Sequence, residues 1–160
     1  MKQEIRLKIT STRFESEASL FSEAEDELFI SEEDIKDAEP ETLEIRSEGM
    51  LCRENGQIQY SYDETEATGM AGSTTTVSFR EDRPGLVTML REGAVSTALV
   101  FEEGERHHCV YQTPFMPFEI CVHTLKVDNR LERDGVLNLD YIIEIRGAQA
   151  ERTKFRMEIY

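Results

Sequence analysis

Apolar and polar residues alternate with a period of two along most of this 160-residue chain, a pattern typical of β-strands that bury one face. In the clearest stretches every second residue is apolar or aromatic; these are residues 5–9, 58–62, 137–145 and 155–159. About ten such stretches follow one another, and short links that contain Gly or Pro separate most of them. The pattern therefore predicts an all-β protein.

The links between the stretches predict how the strands connect. Asn55-Gly56 is a strong signal for a two-residue hairpin, and Glu103-Gly104 marks another turn. Short links join antiparallel neighbours, and a long meander exposes its edges unless it closes on itself. We therefore predict a single domain over residues 1–160, a closed antiparallel up-and-down barrel of eight to ten strands, the architecture that lipocalins have. A barrel of about eight strands holds either packed side chains or one small ligand.

Charge is concentrated in one segment of the chain. The sequence has 33 acidic and 18 basic residues, a formal net charge of −15. Residues 15–41 contain twelve Asp or Glu against one basic residue, Lys36, so the remaining residues carry only −4. We predict an acidic insertion at 15–41, either a short helix that begins near Ser22 and Glu25 or a solvated excursion. It would act as an arm for a basic partner or as a cover over one end of the barrel.

The composition also excludes several classes of function. An acidic excess argues against binding to nucleic acids, because Lys and Arg supply most of that affinity, and against attachment to an anionic membrane. No apolar run approaches the roughly 20 residues that span a bilayer, and the N-terminus does not resemble a signal peptide. Three cysteines do not form a disulfide framework and suit the reducing cytoplasm. We expect a cytoplasmic protein without a cofactor.

Two histidines and two cysteines flank a Thr-Pro-Phe-Met-Pro link and raise the question of a metal site or a catalytic pair. If the hairpin is centred on Phe115, Cys109 faces Cys121 and His107 faces His123, all on one face. A shift of the register by one residue separates the set. The sequence alone does not decide whether the four converge, and we predict neither a metal nor a catalytic residue.

Three carboxylates, Asp63, Glu64 and Glu66, follow the stretch 58–62. Clustered carboxylates can serve as an acid and a base in catalysis. In a chain this acidic, however, such a cluster is typical of a loop in contact with water. We therefore predict that these residues are solvated.

Polar side chains within the apolar stripes mark a candidate ligand site inside the barrel. A buried Tyr hydroxyl needs a hydrogen-bond partner, and a buried Arg beside a Tyr can hold a ligand carboxylate. The opposing interpretation is that the Tyr side chains only fill the barrel and that Arg91 ends a strand in water. The candidate interior residues are Tyr60, Tyr62, Thr75, Arg91 and Tyr111.

Several strings resemble a bacterial family of unknown function, the YwiB-like proteins. They are YSYDETEATGMAGSTTTVSF, LVTMLREGAVSTALVFEEGERHHCVYQTPFMPFEICVHT, LNLDYIIEI and KFRMEIY. The likeness covers roughly residues 42–160 and the first strand. It implies a closed antiparallel barrel of the calycin-like type and no established activity. Calycins often hold small apolar ligands, which is an analogy at the level of the fold.

We therefore predict a non-enzymatic cytoplasmic barrel that binds a small, largely apolar ligand in its interior. The alternative is a packed barrel that binds other proteins through its surface or through the acidic segment 15–41. An enzyme that uses the Cys and His set is the third hypothesis. The sequence leaves open whether the protein is a monomer or a homodimer.

Overall fold

The computed structural model describes residues 1–15, 41–65, 72–93, 96–112, 117–145 and 148–160. These residues form ten strands and one helical turn, α1, at Leu131–Asp134. The strands are β1 Lys2–Glu15, β2 Glu41–Glu54, β3 Gln57–Asp63, β4 Thr74–Arg80, β5 Arg83–Glu92, β6 Ser96–Glu102, β7 Arg106–Gln112, β8 Pro117–Arg130, β9 Val136–Ile145 and β10 Ala148–Ile159.

The ten strands close into one antiparallel barrel, as the alternating pattern predicts. Each strand pairs with its neighbours in chain order, and β1 pairs with β10, for example at Leu7 and Ile159. Closure leaves no free edge, which removes the main liability of a long meander. The prediction of an all-β, closed, up-and-down barrel is therefore confirmed, at the upper end of the expected range of strands.

One end of the barrel, which we call the turn end, is closed by tight connections. Asn55 and Gly56 both have positive φ angles, 53° and 77°, as a type I′ hairpin turn requires, so the hairpin prediction is confirmed. The helix α1 caps the same end and stops at Gly135, which has a φ of 71°. At the opposite end, β3 and β5 finish while β4 and β6 begin.

The core lies inside the barrel and follows the period of two. On β3 the buried positions are every second residue, and the same alternation continues on β4 and β6. Side chains rather than open space fill the turn end. Its fully buried members include Leu7, Ile58, Val87, Phe101, Leu137 and Met157.

The ladder between β6 and β7 differs from its neighbours. It consists of two pairs, Ser96 with Gln112 and Thr97 with Tyr111, near the end opposite the turns. Towards the turn end the connection between these strands bonds to β8 instead, because the Gly104 N–H donates to the Thr124 carbonyl at 2.9 Å. The barrel wall is therefore continuous here, because β6 bonds to β7 and the connection that follows β6 bonds to β8.

Part of the predicted acidic insertion is strand. Glu15 is the last residue of β1, and Glu41 is the first of β2. Residues 16–40 lie outside the described part of the chain. The prediction of a short helix there, and of a role for the segment, stays a prediction.

Candidate functional site

A row of inward-facing side chains crosses four adjacent strands near the end opposite the turns. Tyr62 on β3 pairs with Thr75 on β4, Thr75 pairs with Arg91 on β5, and Arg91 pairs with Thr97 on β6. Directly opposed residues on one face have Cβ atoms about 5 Å apart, so these side chains are neighbours. The structure therefore brings together three of the predicted site residues, Tyr62, Thr75 and Arg91.

Glu64 joins this row, although the sequence predicts a solvated position for it. Its side chain is 2% exposed, and the Thr75 hydroxyl donates to Oε1 at 2.6 Å. The Arg91 Nε lies 3.9 Å from the same oxygen, an ion pair without hydrogen-bond contact. The prediction of a solvated loop is therefore wrong for Glu64, because the inward and outward alternation of β3 continues one residue beyond the strand. A hydrogen bond from the Glu64 N–H to the Ser73 carbonyl, at 2.8 Å, holds the backbone in this position. Asp63, one residue earlier, is exposed as expected.

Burial keeps the hydroxyl of Tyr62 neutral. Loss of water is the largest cause that raises the pKa of Tyr62, and the Glu64 carboxylate raises it further. Arg91 and a hydrogen bond with Thr75 act in the opposite direction. At neutral pH Tyr62 is therefore a protonated phenol that can donate or accept a hydrogen bond.

Tyr141 on β9 adds a side chain from the opposite wall of the barrel to this group of polar residues. It pairs with Thr124 on β8 and with Thr153 on β10. Burial raises the pKa of Tyr141, and the positive charge of Arg91 opposes that rise, so the guanidinium acts across the lumen. The Tyr141 ring also packs on Phe101, with ring centroids 4.7 Å apart. We call the resulting set the polar cluster; it consists of Tyr62, Glu64, Ser73, Thr75, Arg91, Thr97, Thr124 and Tyr141.

Five buried atoms of the polar cluster have no hydrogen-bond partner within the part of the chain that the structure describes. A buried polar atom left unpaired costs roughly 1–3 kcal/mol, so native proteins rarely leave several together. The cluster offers one acceptor, one donor and three hydroxyls that can do either. The atoms are Glu64 Oε2, Arg91 Nε, Ser73 Oγ, Thr97 Oγ1 and Thr124 Oγ1.

Half-buried apolar side chains also lie at this end of the barrel. Leu43 on β2 and Ile143 and Ile145 on β9 pack against the core. We call the end that holds the polar cluster the polar end; it is amphipathic because it combines polar and apolar side chains.

A glycine lies opposite Tyr62 in the wall, at a position too crowded for a side chain. Gly49 pairs with Tyr62, and a Cβ at Gly49 would lie 2.5 Å from the Ser61 carbonyl oxygen and 2.9 Å from Leu7 Cδ2. Both distances are shorter than van der Waals contact. The absence of a side chain at this position allows β2 to pack closely against β3 and β1.

The two remaining predicted site residues, Tyr60 and Tyr111, are not members of the polar cluster. Tyr60 is buried inside the barrel, nearer the turn end, where its ring stacks on Phe79 with centroids 6.4 Å apart. Its charged neighbours are Arg53 and Glu132, not the polar cluster. Tyr111 pairs with Thr97 on β6, but its side chain lies outside the described part of the chain.

The four Cys and His residues do not converge. Cys109 pairs with Ile120 and His107 pairs with Val122, so paired residue numbers sum to 229 instead of the 230 needed for convergence. Because one step of register reverses every side chain, His107 and Cys109 face inward while Cys121 and His123 face outward. No group of three or more metal-ligating side chains occurs within the described ranges. Burial raises the pKa of the Cys109 thiol, which disfavours the thiolate that nucleophilic catalysis needs.

Comparisons with known proteins support the family resemblance. Residues 29–157 match a family model described as a domain of unknown function, DUF1934. The fold is similar to the crystal structure of the ywiB protein from Bacillus subtilis, with a TM-score of 0.68 and 20% identity over 98% of this chain and 92% of that one. No curated protein matches the chain. Within the described residues, no helix is long and apolar enough to span a membrane.

Proposed function

Since the chain belongs to the family described as a domain of unknown function, DUF1934, we propose its function from the site itself. The barrel binds a small molecule that has a polar group on an apolar body, and the polar end is the binding site. The single observation that carries this proposal is that five buried polar atoms of the polar cluster have no hydrogen-bond partner among the described residues. The protein acts as a cytoplasmic, calycin-like carrier or sensor rather than as an enzyme.

The polar group of the ligand is neutral. A buried Arg alone would favour a carboxylate, which is the expectation from the sequence. Glu64 changes this expectation, because its buried carboxylate lies 3.9 Å from the Arg91 Nε and offsets the positive charge. An amide or a pair of hydroxyls can donate to Glu64 Oε2 and accept from Arg91 Nε at the same time.

The apolar body of the ligand packs against Leu43, Ile143 and Ile145, which are half-buried at the polar end. The ligand does not extend to the turn end, because Phe101, Leu137 and Met157 already fill the barrel there. Ligand sites in proteins commonly combine such apolar walls with a few convergent polar groups. The proposed ligand is therefore short, on the scale of one ring or a short chain rather than a lipid tail.

Native mass spectrometry of the full chain, purified from cells without denaturation, tests this proposal. We expect a bound mass of a few hundred daltons that disappears from the denatured spectrum. In a Thr97→Val, Thr124→Val double variant the bound fraction falls about tenfold, since two hydroxyls that reach the ligand are lost while the side-chain shape is kept.

The matched control changes two threonines that face outward on β4 and β5, Thr76→Val and Thr88→Val. These residues pair with Leu90 and Ser78 on the outside of the wall. The control retains the full bound mass. A wild-type chain that carries no bound mass, or equal loss in both double variants, would contradict binding at the polar cluster.

A further inference from the structure

A second concave surface lies on the outside of the barrel, where β8, β9, β10 and β1 run side by side. It is a groove with a volume of about 460 Å³, within the range of small-molecule sites. We call it the outer groove. The side chains that line it on this outer face are Thr10, Thr12, Lys126, Asn138, Asp140, Lys154 and Arg156.

The register shows how the cations of the groove are spaced. Lys154 on β10 pairs with Asp140 on β9, and Asp140 pairs in turn with Lys126 on β8. The two lysines thus flank the middle strand, about 10 Å apart at the backbone. Arg156 follows Lys154 on the same face and pairs with Thr10 on β1. Three cations therefore surround one elongated space rather than a single point.

The outer groove is positively charged in a strongly acidic protein. Its single carboxylate, Asp140, accepts two hydrogen bonds from Arg152, at 3.1 and 2.8 Å, which offset its charge. Arg156 pairs with Glu158 and donates to the Asn138 side chain at 3.2 Å. Lys126 and Lys154 are exposed, and the Lys154 ammonium lies over the Phe14 ring, 5.8 Å from its centroid. The ionised groups that bond to the lining residues are Arg152, Glu158 and Asp128, the last of which accepts from the Asn138 side chain at 3.3 Å. With these included, four cations face three carboxylates, whereas the whole chain carries −15.

We propose that the outer groove binds a small molecule that carries two or more linked phosphate groups. Flexible lysines bind phosphate as point charges, and Thr10 and Thr12 offer hydroxyl donors to the same oxygens. The separation of Lys126 and Lys154 across β9 suits a chain of phosphates better than one phosphate. This site is on the opposite face of the wall from the polar cluster, so the proposal is independent of the ligand inside the barrel.

Isothermal titration calorimetry of the full chain with inorganic tripolyphosphate tests the proposal. We expect saturable binding of one molecule per chain that weakens as salt is added, because exposed charges are screened. Binding weakens about tenfold or more in a Lys126→Gln, Lys154→Gln double variant. The control Arg46→Gln removes an exposed cation from the outer face of β2 and leaves binding within about twofold.

Titrations with ATP and with citrate distinguish the source of the phosphates and the chemistry that the groove recognises. ATP that binds as tightly as tripolyphosphate, or more tightly, supports a polyphosphate site and shows whether a nucleoside adds contacts. Citrate that binds as tightly as tripolyphosphate would overturn the proposal, because charge alone would then explain the binding. An absence of saturable binding, or equal weakening in Arg46→Gln, would overturn it as well.

Discussion

The turn end and the polar end of the barrel bury side chains of opposite chemistry. At the turn end, residues such as Leu137 and Met157 are fully buried, pair with each other and are purely apolar. At the polar end, buried positions carry a carboxylate and hydroxyls, and the half-buried Arg91 carries a guanidinium. One half of the interior therefore stabilises the fold, while the other half retains polar groups whose burial costs free energy unless something pairs with them.

The largest expected effect is at the turn end. Leu137→Ala removes a fully buried side chain that pairs with Met157, and we expect it to lower the free energy of unfolding by about 2–5 kcal/mol. Urea unfolding followed by circular dichroism measures this loss. Val110→Ala, at a residue that is 46% exposed, is the control and changes stability by less than about 0.5 kcal/mol. A loss below about 1 kcal/mol for Leu137→Ala would mean that the turn end is not tightly packed.

The second largest loss of stability is expected when a hydrogen bond within the polar cluster is removed. Thr75→Val removes the hydroxyl that donates to Glu64 Oε1 at 2.6 Å and leaves a buried carboxylate without that donor. We expect a loss of about 2 kcal/mol in the same urea experiment. If Thr75→Val is neutral, Glu64 is not held in the interior by this hydrogen bond.

The third prediction concerns alkaline pH. The pKa of Tyr62 is raised in the folded protein, so the folded state holds its proton more tightly than the unfolded state. Its contribution to stability is complete below the ordinary tyrosine pKa of about 10 and is lost as pH rises above that value, by up to about 1.4 kcal/mol per pH unit. Stability measured between about pH 8 and pH 11 should fall less steeply in Tyr62→Phe than in the wild type. Tyr160→Phe, at an exposed residue, serves as the control with the wild-type slope.

The smallest effect has the opposite sign. Thr97→Val removes a buried hydroxyl that has no partner in the described part of the chain, so protein refolded without its ligand should gain up to about 1 kcal/mol. The same urea measurement as for Thr75→Val provides the comparison. A gain for Thr97→Val beside a loss for Thr75→Val would show that the polar end contains both satisfied and unsatisfied groups. A clear loss for both would remove the argument for a ligand.

The fold could be predicted from the sequence because its determinants are local. The alternation of residues 58–62 and 137–145 assigns the inward face, and Asn55-Gly56 determines a hairpin. The same alternation correctly grouped Tyr62 with Thr75 and Arg91, since each lies on the apolar face of its strand. The pairing of β1 with β10 is expected as well, because both strands would otherwise leave an exposed sheet edge.

The remaining features depend on registers that a sequence pattern does not determine. Cys109 pairs with Ile120 rather than with Cys121, and this single step of register separates the Cys and His residues. The charge of Glu64 favours a position in solvent, but the residue continues the buried alternation of Ile58, Tyr60 and Tyr62. Thr97 alternates with the buried Leu99 in the same way, which is the signal that could have identified it.

Ligand binding at the polar end can be tested by a crystal structure of the full chain purified from cells under native conditions, at a resolution that separates water from organic ligand. We expect connected density at the polar end that lies within about 3.2 Å of both Arg91 Nε and Glu64 Oε2 and extends towards Ile143. Isolated water molecules on the five polar atoms, with no connected density, would contradict it. In that case the polar end would be a hydrated cavity, and the function of the barrel would have to be sought on its surface.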